Sequence, residues 1–527
     1  MLLVFKEVTE LFIGHSAASE FLGDLTAEFL ERTPRLGKKF KLPGRIGFHI
    51  DTRGGSPGLE AYLSLDRDWN AEHHHLHFTT ESSDGYPLSG RSTSHFTLWD
   101  VLCYTPLQPD GSGGVFSDVR MDAKNSLGEP RCLISRAAIL HNVGLIRKAI
   151  GPDVKICAVV KADAYGHGAD IVVDTLCNFS NSEAEPPMVD ALAVADLDEA
   201  AALMACDLPV IVLRPVENAY LGSQRARLEA ATRHGWVLTL CSAAAAQDLA
   251  RIAQNRGQRA NVQIMVNTGL NRAGVDLAAL DDLVEKISSL PALRLLGVAT
   301  HFASSDEPAN PLNCEQLGRF LAATSSLSGG RQSRPHFSAA NSGGVFFQPQ
   351  SHLDMVRPGI SIYGIDPTCR PDMARPLRPA MKWTAPLIAV REVTAGTQVG
   401  YGQTWTADKP TRLGLIPIGY ADGYPRSLSN RGITMVAGQP APVAGRVSMD
   451  LMVIDLQNAP QATIGDEVTV LDSDPLSPAS VYRIAELAGT VPYEIFCRIG
   501  PRVRRVAVDE FGLRGETPQA IEQLEEE

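Results

Sequence analysis

The sequence predicts an α/β chain: a (β/α)8 barrel of the TIM type, then a C-terminal β-rich domain, with an extra N-terminal segment of unknown fold ahead of both. Three observations predict it. Eight short apolar runs rich in β-branched residues alternate with helical spacing between about residues 155 and 356, the pattern of parallel strands buried on both faces and joined by crossover helices. Beyond about residue 375 the helical spacing gives way to short strand-like runs broken by Gly, Pro and Asp. Residues 1–127 follow neither pattern.

Size and composition agree. At 527 residues the chain exceeds one ordinary domain, and 44% hydrophobic with 20% charged residues fits a soluble globular protein. The net charge of -12, without a basic cluster, argues against a nucleic-acid partner. An anionic cofactor would need local cations or backbone N–H groups. The nine cysteines are odd in number and form no C-x-x-C pair, as expected of reduced thiols in a cytoplasm. The opening M-L-L-V-F-K-E meets Lys6, Glu7 and Glu10 too soon for a signal peptide, and no run is long enough to span a bilayer. A cytoplasmic location with no membrane partner is expected.

Within residues 1–127, 11–30 reads as a helix and 61–65 and 75–80 as strands. His73, His74, His75 and His77 are expected to form a surface cluster and to hold no metal, because nothing at ligand spacing completes a set. The run P-L-Q-P-D-G-S-G-G at 106–114 reads as a linker, and Met121 follows it. Two readings stay open: an appended domain, or a start placed upstream of the real one.

The order begins at Gly128. Residues 131–134 form a short strand, Ser135 is an N-cap, and Ile139, Val143, Ile146 and Ile150 follow at helical spacing. The eight barrel strands are placed at 156–160, 191–195, 210–213, 237–240, 262–266, 295–300, 336–339 and 355–356, with helices at 198–205, 243–253 and 277–287 between them. The barrel domain spans 128–375 and the β domain 376–510, with strands at 387–393, 413–417, 443–447, 452–456 and 467–471 and one helix at 480–487. An acidic tail, 511–527, is expected to fray.

The centre of the chain is V-K-I-C-A-V-V-K-A-D-A-Y-G-H-G, 154–168. A lysine that ends a buried strand can hold its amine in a partly dry pocket, where its pKa falls and it becomes nucleophilic. Tyr165 adds a hydroxyl, and Gly166 and Gly168 let backbone approach a ligand. Spacing alone favours a solvated lysine before a turn. Lys161, Asn267, His301, Asn341 and Arg357 all fall at or just past expected strand ends, the face on which barrel active sites are built.

K-A-D-A-Y-G-H-G (161–168) resembles the pyridoxal-phosphate lysine motif of the alanine racemase family, fold type III. Further motifs agree in order: N-T-G-L-N-R-A-G (267–274), T-H-F-A (300–303), A-N-S (340–342), R-P-G-I-S-I-Y-G (357–364), G-Y-G-Q-T (400–404), G-Y-A-D-G-Y-P-R (419–426), G-R-V-S-M-D (445–450) and Y-E-I-F-C-R-I-G (493–500). The resemblance covers about residues 128–508.

What it implies is an isomerase acting on alanine, in a homodimer with shared sites. Inverting an α-carbon takes an electron sink, which pyridoxal 5'-phosphate supplies, and a base on each face. By resemblance Lys161 carries the cofactor and serves one face, and Tyr401 of a second subunit serves the other. His301 and Arg357 match residues linked to that tyrosine, and Arg357 also matches the one facing the pyridine nitrogen. Tyr165, Ser342, Tyr493 and the N–H groups of Gly359 and Ile360 match the phosphate cradle, with Asn341 beside it. Arg272 and Met449 match substrate-carboxylate contacts. Tyr420, Arg426 and Asp450 match residues of a narrow entrance.

One departure stands out. Many members carry a carbamylated lysine where this chain has Met265, and an Asp where it has Asn267. A buried Arg272 without its partner would then require a small anion or another carboxylate nearby. Racemisation of another small amino acid such as serine, and a non-catalytic cofactor-binding barrel, are the alternative functions.

Overall fold

The computed structural model describes residues 128–178, 188–203, 206–327, 334–371 and 376–511, with backbone only at 218–224, and the backbone of three N-terminal strands, Ile46–Ile50, Leu59–Ser64 and His77–Ser82. The chain divides into two compact units, Met1–Val119 and Arg120–Glu527. In the first, the three strands pair antiparallel in chain order. Two of them overlap the strands expected at 61–65 and 75–80. The helix expected at 11–30, the linker at 106–114, His73 to His75 and the acidic tail beyond 511 lie outside the described residues.

In the second unit, eight parallel strands form the barrel: β1 Lys155–Val159, β2 Ala191–Val194, β3 Val210–Val212, β4 Val237–Leu240, β5 Ala260–Asn267, β6 Leu293–Ala299, β7 His336–Ser338 and β8 Met355–Val356. Each of β1 to β6 pairs with its successor, and β8 pairs back onto β1. Asp354 N–H to Phe337 O (3.1 Å) and Arg357 N–H to Ala340 O (2.8 Å) join the two ends of the sheet. Every expected barrel strand is present. They were legible because β2, β3 and β4 are buried along their whole length, so no charged residue interrupts them. Outer helices that the spacing did not reveal occur at Ala169–Asn178, Asn218–Arg233 and Leu312–Ala323.

Arg131–Ser135 is the element whose partners the sequence concealed. It lies between Met381–Pro386, antiparallel, and Arg504–Val508, parallel, within a six-stranded sheet that continues through Glu467–Leu471, Ile433–Val436 and Gln439–Pro442. The range 128–375 therefore lends its first strand to the β domain before entering the barrel. Ser135 then caps helix Arg136–Ile150, its Oγ accepting the Ala138 N–H at 3.2 Å, and Ile139, Val143 and Ile146 of that helix are fully buried.

The β domain adds a three-stranded sheet, Ala389–Val393, Thr411–Ile416 and Met452–Asp455, and a hairpin of Gln398–Val399 with Trp405–Thr406. The strand expected at 443–447 is not formed; only Val443 makes a single bridge, to Ile454. The expected helix is Val481–Ala488, with Ser480 as N-cap. A second helix, Pro492–Arg498, follows it, too short to show periodicity. Among the described residues no helix is long and apolar enough to cross a membrane.

Candidate active site

β1 ends one residue before Val160, and Lys161 opens a turn unlike any the sequence signalled. Ala162, Asp163, Ala164 and Tyr165 all adopt left-handed conformations, with φ between 52° and 54°. Each costs about 1–2 kcal/mol for an L-residue, so outside contacts must hold them. Glu199 Oε1 accepts the Ala162 N–H at 2.8 Å, Asp163 Oδ1 accepts the Ala169 N–H at 2.7 Å, and Ala164 N–H returns to Val160 O at 2.9 Å. The buried ring of His167 lies with Nδ1 at 3.1 Å from Ala164 O and 3.0 Å from Tyr165 O. Gly166 (φ +77°) closes the turn where any Cβ would overlap the Phe496 carbonyl of helix Pro492–Arg498. Burial, then the Arg272 guanidinium, lowers the pKa of the Lys161 amine, and Glu199 pulls it back up. The lowered pKa fits the partly dry pocket that a strand-end lysine can occupy.

Beside it lies a cradle of donors. Ser342 opens the short helix Ser342–Phe347, which Asn341 caps by accepting the Gly344 N–H at 3.1 Å. Ser342 Oγ accepts the N–H groups of Gly359 (3.0 Å) and Ser361 (3.3 Å), with Ile360 between them. A Cβ on Gly359 would overlap the Tyr165 hydroxyl. The Tyr165 ring packs at 4.9 Å from Tyr363 and 6.1 Å from Tyr493. The buried Ser361 hydroxyl has no partner among the described residues. Convergent amides and hydroxyls without a carboxylate suit a phosphate. The donor set thus fits the phosphate of pyridoxal phosphate, and Lys161 fits its carbonyl.

Arg357 follows β8 and is buried. It donates to Ser338 Oγ on β7 and, at 2.5 Å, to the Thr300 carbonyl past β6. Burial lowers its pKa to about 10, which leaves it charged at neutral pH. His301 is pushed down to about 3, by burial first and then by Arg357, Arg272 and Lys161. Its imidazole is neutral under ordinary conditions. Fully buried Gln316 braces this loop, donating to His301 O (3.1 Å) and Thr268 Oγ1 (3.1 Å) and accepting the Ala303 N–H (2.9 Å).

Tyr401, Tyr420, Arg426, Met449 and Asp450 gather elsewhere. With Arg446, Val447 and Ser448 they line a cleft of about 390 Å³ to which the barrel contributes nothing. Tyr401 stands at the tip of the hairpin, 72% exposed. The Arg446 guanidinium lies 2.9 Å from where a Cβ on Gly402 would be. Asp450 pairs with Arg502 at 2.8 Å, and Arg502 also pairs with Asp422 at 2.8 Å. The expected site residues thus form two groups on one chain, a barrel group around Lys161 and a β-domain group around Tyr401. Tyr493 joins the barrel group through Tyr165.

The family model for the alanine racemase N-terminal domain matches residues 134–367, and that for the C-terminal domain matches 380–507. The chain belongs to the alanine racemase family. The alanine racemase of Chlorobaculum tepidum is 36% identical over 386 residues, 73% of this chain and 97% of that protein. That of Syntrophobacter fumaroxidans is 37% identical over 370 residues, 70% and 94% respectively. Among solved structures, the alanine racemase of Streptomyces coelicolor superposes with a TM-score of 0.65 at 33% identity, covering 74% of this chain and all of that one. The alanine racemase of Bartonella henselae, solved with covalently bound pyridoxal phosphate, gives 0.63 at 27% identity, covering 72% and 99%.

In the single chain Arg272 is exposed; the burial that the racemase motifs imply for it is burial beside a bound cofactor. Asn267 is occupied by its own loop: Oδ1 accepts the N–H groups of Gly269 (3.2 Å) and Asn271 (3.1 Å), and Nδ2 donates to Asn271 Oδ1 (2.9 Å). An amide can both donate and accept where a carboxylate could only accept, so Asn267 serves as a loop cap. Sequence reasoning also missed Glu199, His167 and Gln316. Glu199 lies just past β2, the strand-end position that flagged the other site residues.

Proposed function

We propose that the protein interconverts L-alanine and D-alanine with pyridoxal phosphate, as a homodimer in which each site combines one subunit's Lys161 group with its partner's Tyr401 group. The observation that carries this reading is a lysine of lowered pKa at the end of β1, beside a cradle of amides and hydroxyls suited to a phosphate. When bound, the cofactor supplies the electron sink that makes the α-proton acidic. Lys161 holds the cofactor and moves the proton on one face, and Tyr401 moves it on the other. Neutral His301 can accept a hydrogen bond at its unprotonated ring nitrogen without adding charge. Arg357 keeps its proton, so as the residue assigned to the cofactor ring nitrogen it would donate there rather than accept.

The two separate groups support the dimer. Tyr401, Tyr420, Met449 and Leu451 leave an apolar surface on the single chain, each between 41% and 72% exposed, of the kind that marks an interface. Arg272 and the Met449 amide are assigned to the substrate carboxylate, and Tyr420, Arg426 and Asp450 to the entrance. D-alanine for peptidoglycan, made in the cytoplasm, is the proposed product.

The test is direct. The purified protein with pyridoxal phosphate should racemise L-alanine in preference to serine. Borohydride reduction followed by mass spectrometry should place the cofactor on Lys161, and Lys161→Ala should abolish both. Labelling of another residue, or preference for serine, would overturn the reading.

A further inference from the structure

Glu199 touches neither the cradle nor the Tyr401 cleft, yet its carboxylate joins two strand ends at the lysine. Oε1 accepts the N–H of Ala162, the residue after Lys161, at 2.8 Å. Oε2 accepts the N–H of Ala195, the residue after β2, at 2.6 Å. The side chain is itself well anchored. It rises from the first turn of helix Leu197–Ala202, whose N-cap Asp196 accepts the N–H groups of Asp198 and Glu199, both at 3.1 Å, and pairs with Arg214 at 3.1 Å.

We propose that Glu199 is the positioning residue of the site: it caps the first N–H of the left-handed turn, ties that turn to the end of β2, and sets a negative charge beside the lysine amine. This inference rests on the assignment of Lys161 as the cofactor-bearing residue. The left-handed turn is intrinsically unfavourable, and its first N–H has no partner in the turn's own hydrogen-bond pattern. A charged acceptor supplies a stronger bond there than a neutral one. Two N–H donors also demand two acceptor atoms. Glutamate has them, whereas glutamine would present its NH2 to one of the donors.

The charge has a separate effect. The groups acting on Lys161 are Arg272 from the loop after β5, Glu199 from the helix after β2 and Cys497 from helix Pro492–Arg498. Arg272 favours the neutral amine and Glu199 the protonated one, so removing the Glu199 charge makes the amine lose its proton at lower pH.

Glu199→Gln and Glu199→Asp separate cap from charge. In each full-length variant, stripped of cofactor, the attachment of pyridoxal phosphate to Lys161 is followed by absorbance across a pH series. Affinity is measured by titration and folding by thermal melting. In Glu199→Gln the midpoint of attachment moves to lower pH, and affinity falls about tenfold as one cap is lost. In Glu199→Asp the charge remains but the carboxylate withdraws by one methylene, so affinity falls while the midpoint stays near the parent's. For Glu199→Asp, kcat falls and KM for alanine holds within about twofold, since Glu199 does not meet substrate. Should Glu199→Gln fail to fold, the Glu199→Asp result alone decides. Parent-like affinity and midpoint in the folded variants, with the parent chain labelled on Lys161, would overturn this inference alone. An unlabelled Lys161 in the parent chain would instead overturn the assignment beneath it.

Discussion

Arg357 reaches from the end of β8 to the end of β6, where its Nη2 donates to the Thr300 carbonyl at 2.5 Å, one residue before His301. The same guanidinium is the second cause, after burial, of the low His301 pKa. One cation therefore both shapes the loop carrying His301 and keeps its ring neutral. Replacing Arg357 with Gln should raise the His301 pKa from about 3 toward the ordinary value near 6.5, without reaching it, because burial remains. NMR titration of the ring protons checks this. Losing a buried charged donor worth about 1.5–3 kcal/mol should also lower kcat by roughly 10–150-fold. An unchanged His301 titration would show that the charge does not reach the ring.

His167 predicts an acid limit to stability. Burial pushes its pKa down to about 4, against a smaller upward pull from the Tyr165 and Ala164 carbonyls. Those carbonyls are acceptors, so Nδ1 carries the proton of the neutral ring. Unfolded, the ring titrates near 6.5. Above that pH both states are neutral and the group contributes nothing to the pH dependence. As pH falls from about 6.5 to about 4, the unfolded chain takes up a proton that the folded chain refuses, and stability is lost. Urea melts across this range should show a smaller loss for His167→Gln than for the parent chain. Equal slopes would mean that His167 is protonated while folded.

The barrel was legible because short, wholly buried runs such as β2, β3 and β4 alternate with helical spacing, and the lysine because a racemase-like motif opens with it at a strand end. The racemase motifs then located the rest of the barrel group at strand ends. What stayed hidden has physical causes. Nothing in Ala162 or Ala164 favours a left-handed turn; it is held by Glu199, by His167, by Asp163 through the Ala169 N–H, and by Gly166 against Phe496. The strand Arg131–Ser135 carries no mark of which sheet it joins. The loop after β5 also kept its local role hidden: Asn267 satisfies it with an amide where the racemase pattern has a carboxylate.

Residues 1–120 should be dispensable for catalysis. Every residue of both site groups lies in the unit Arg120–Glu527, and the family match begins at 134. Any cut must spare Arg131–Ser135, which is paired on both edges. A chain beginning at Met121 should be soluble and dimeric, with kcat and KM within about twofold of the full chain. A folded but inactive product would show that the N-terminal segment contributes to the site or to the dimer.

Gly359 offers the sharpest test of the cradle. Its N–H donates to Ser342 Oγ at 3.0 Å, and an added Cβ would overlap the Tyr165 hydroxyl. Tyr165 has little room to yield, because its ring packs against Tyr363 and Tyr493 and its backbone is fixed in the left-handed turn. Gly359→Ala should therefore spread the cradle more than it harms the fold. Overpacking of this kind costs about 1–3 kcal/mol, which corresponds to roughly a 5–150-fold loss of pyridoxal phosphate affinity if it falls on the cradle. Fluorescence titration measures that loss, and thermal melting measures the fold. Tyr165→Phe removes the overlapping oxygen, so adding it to Gly359→Ala should recover part of the loss even though the single change weakens binding. If the two losses simply add, the hydroxyl and Gly359 do not meet in the working enzyme.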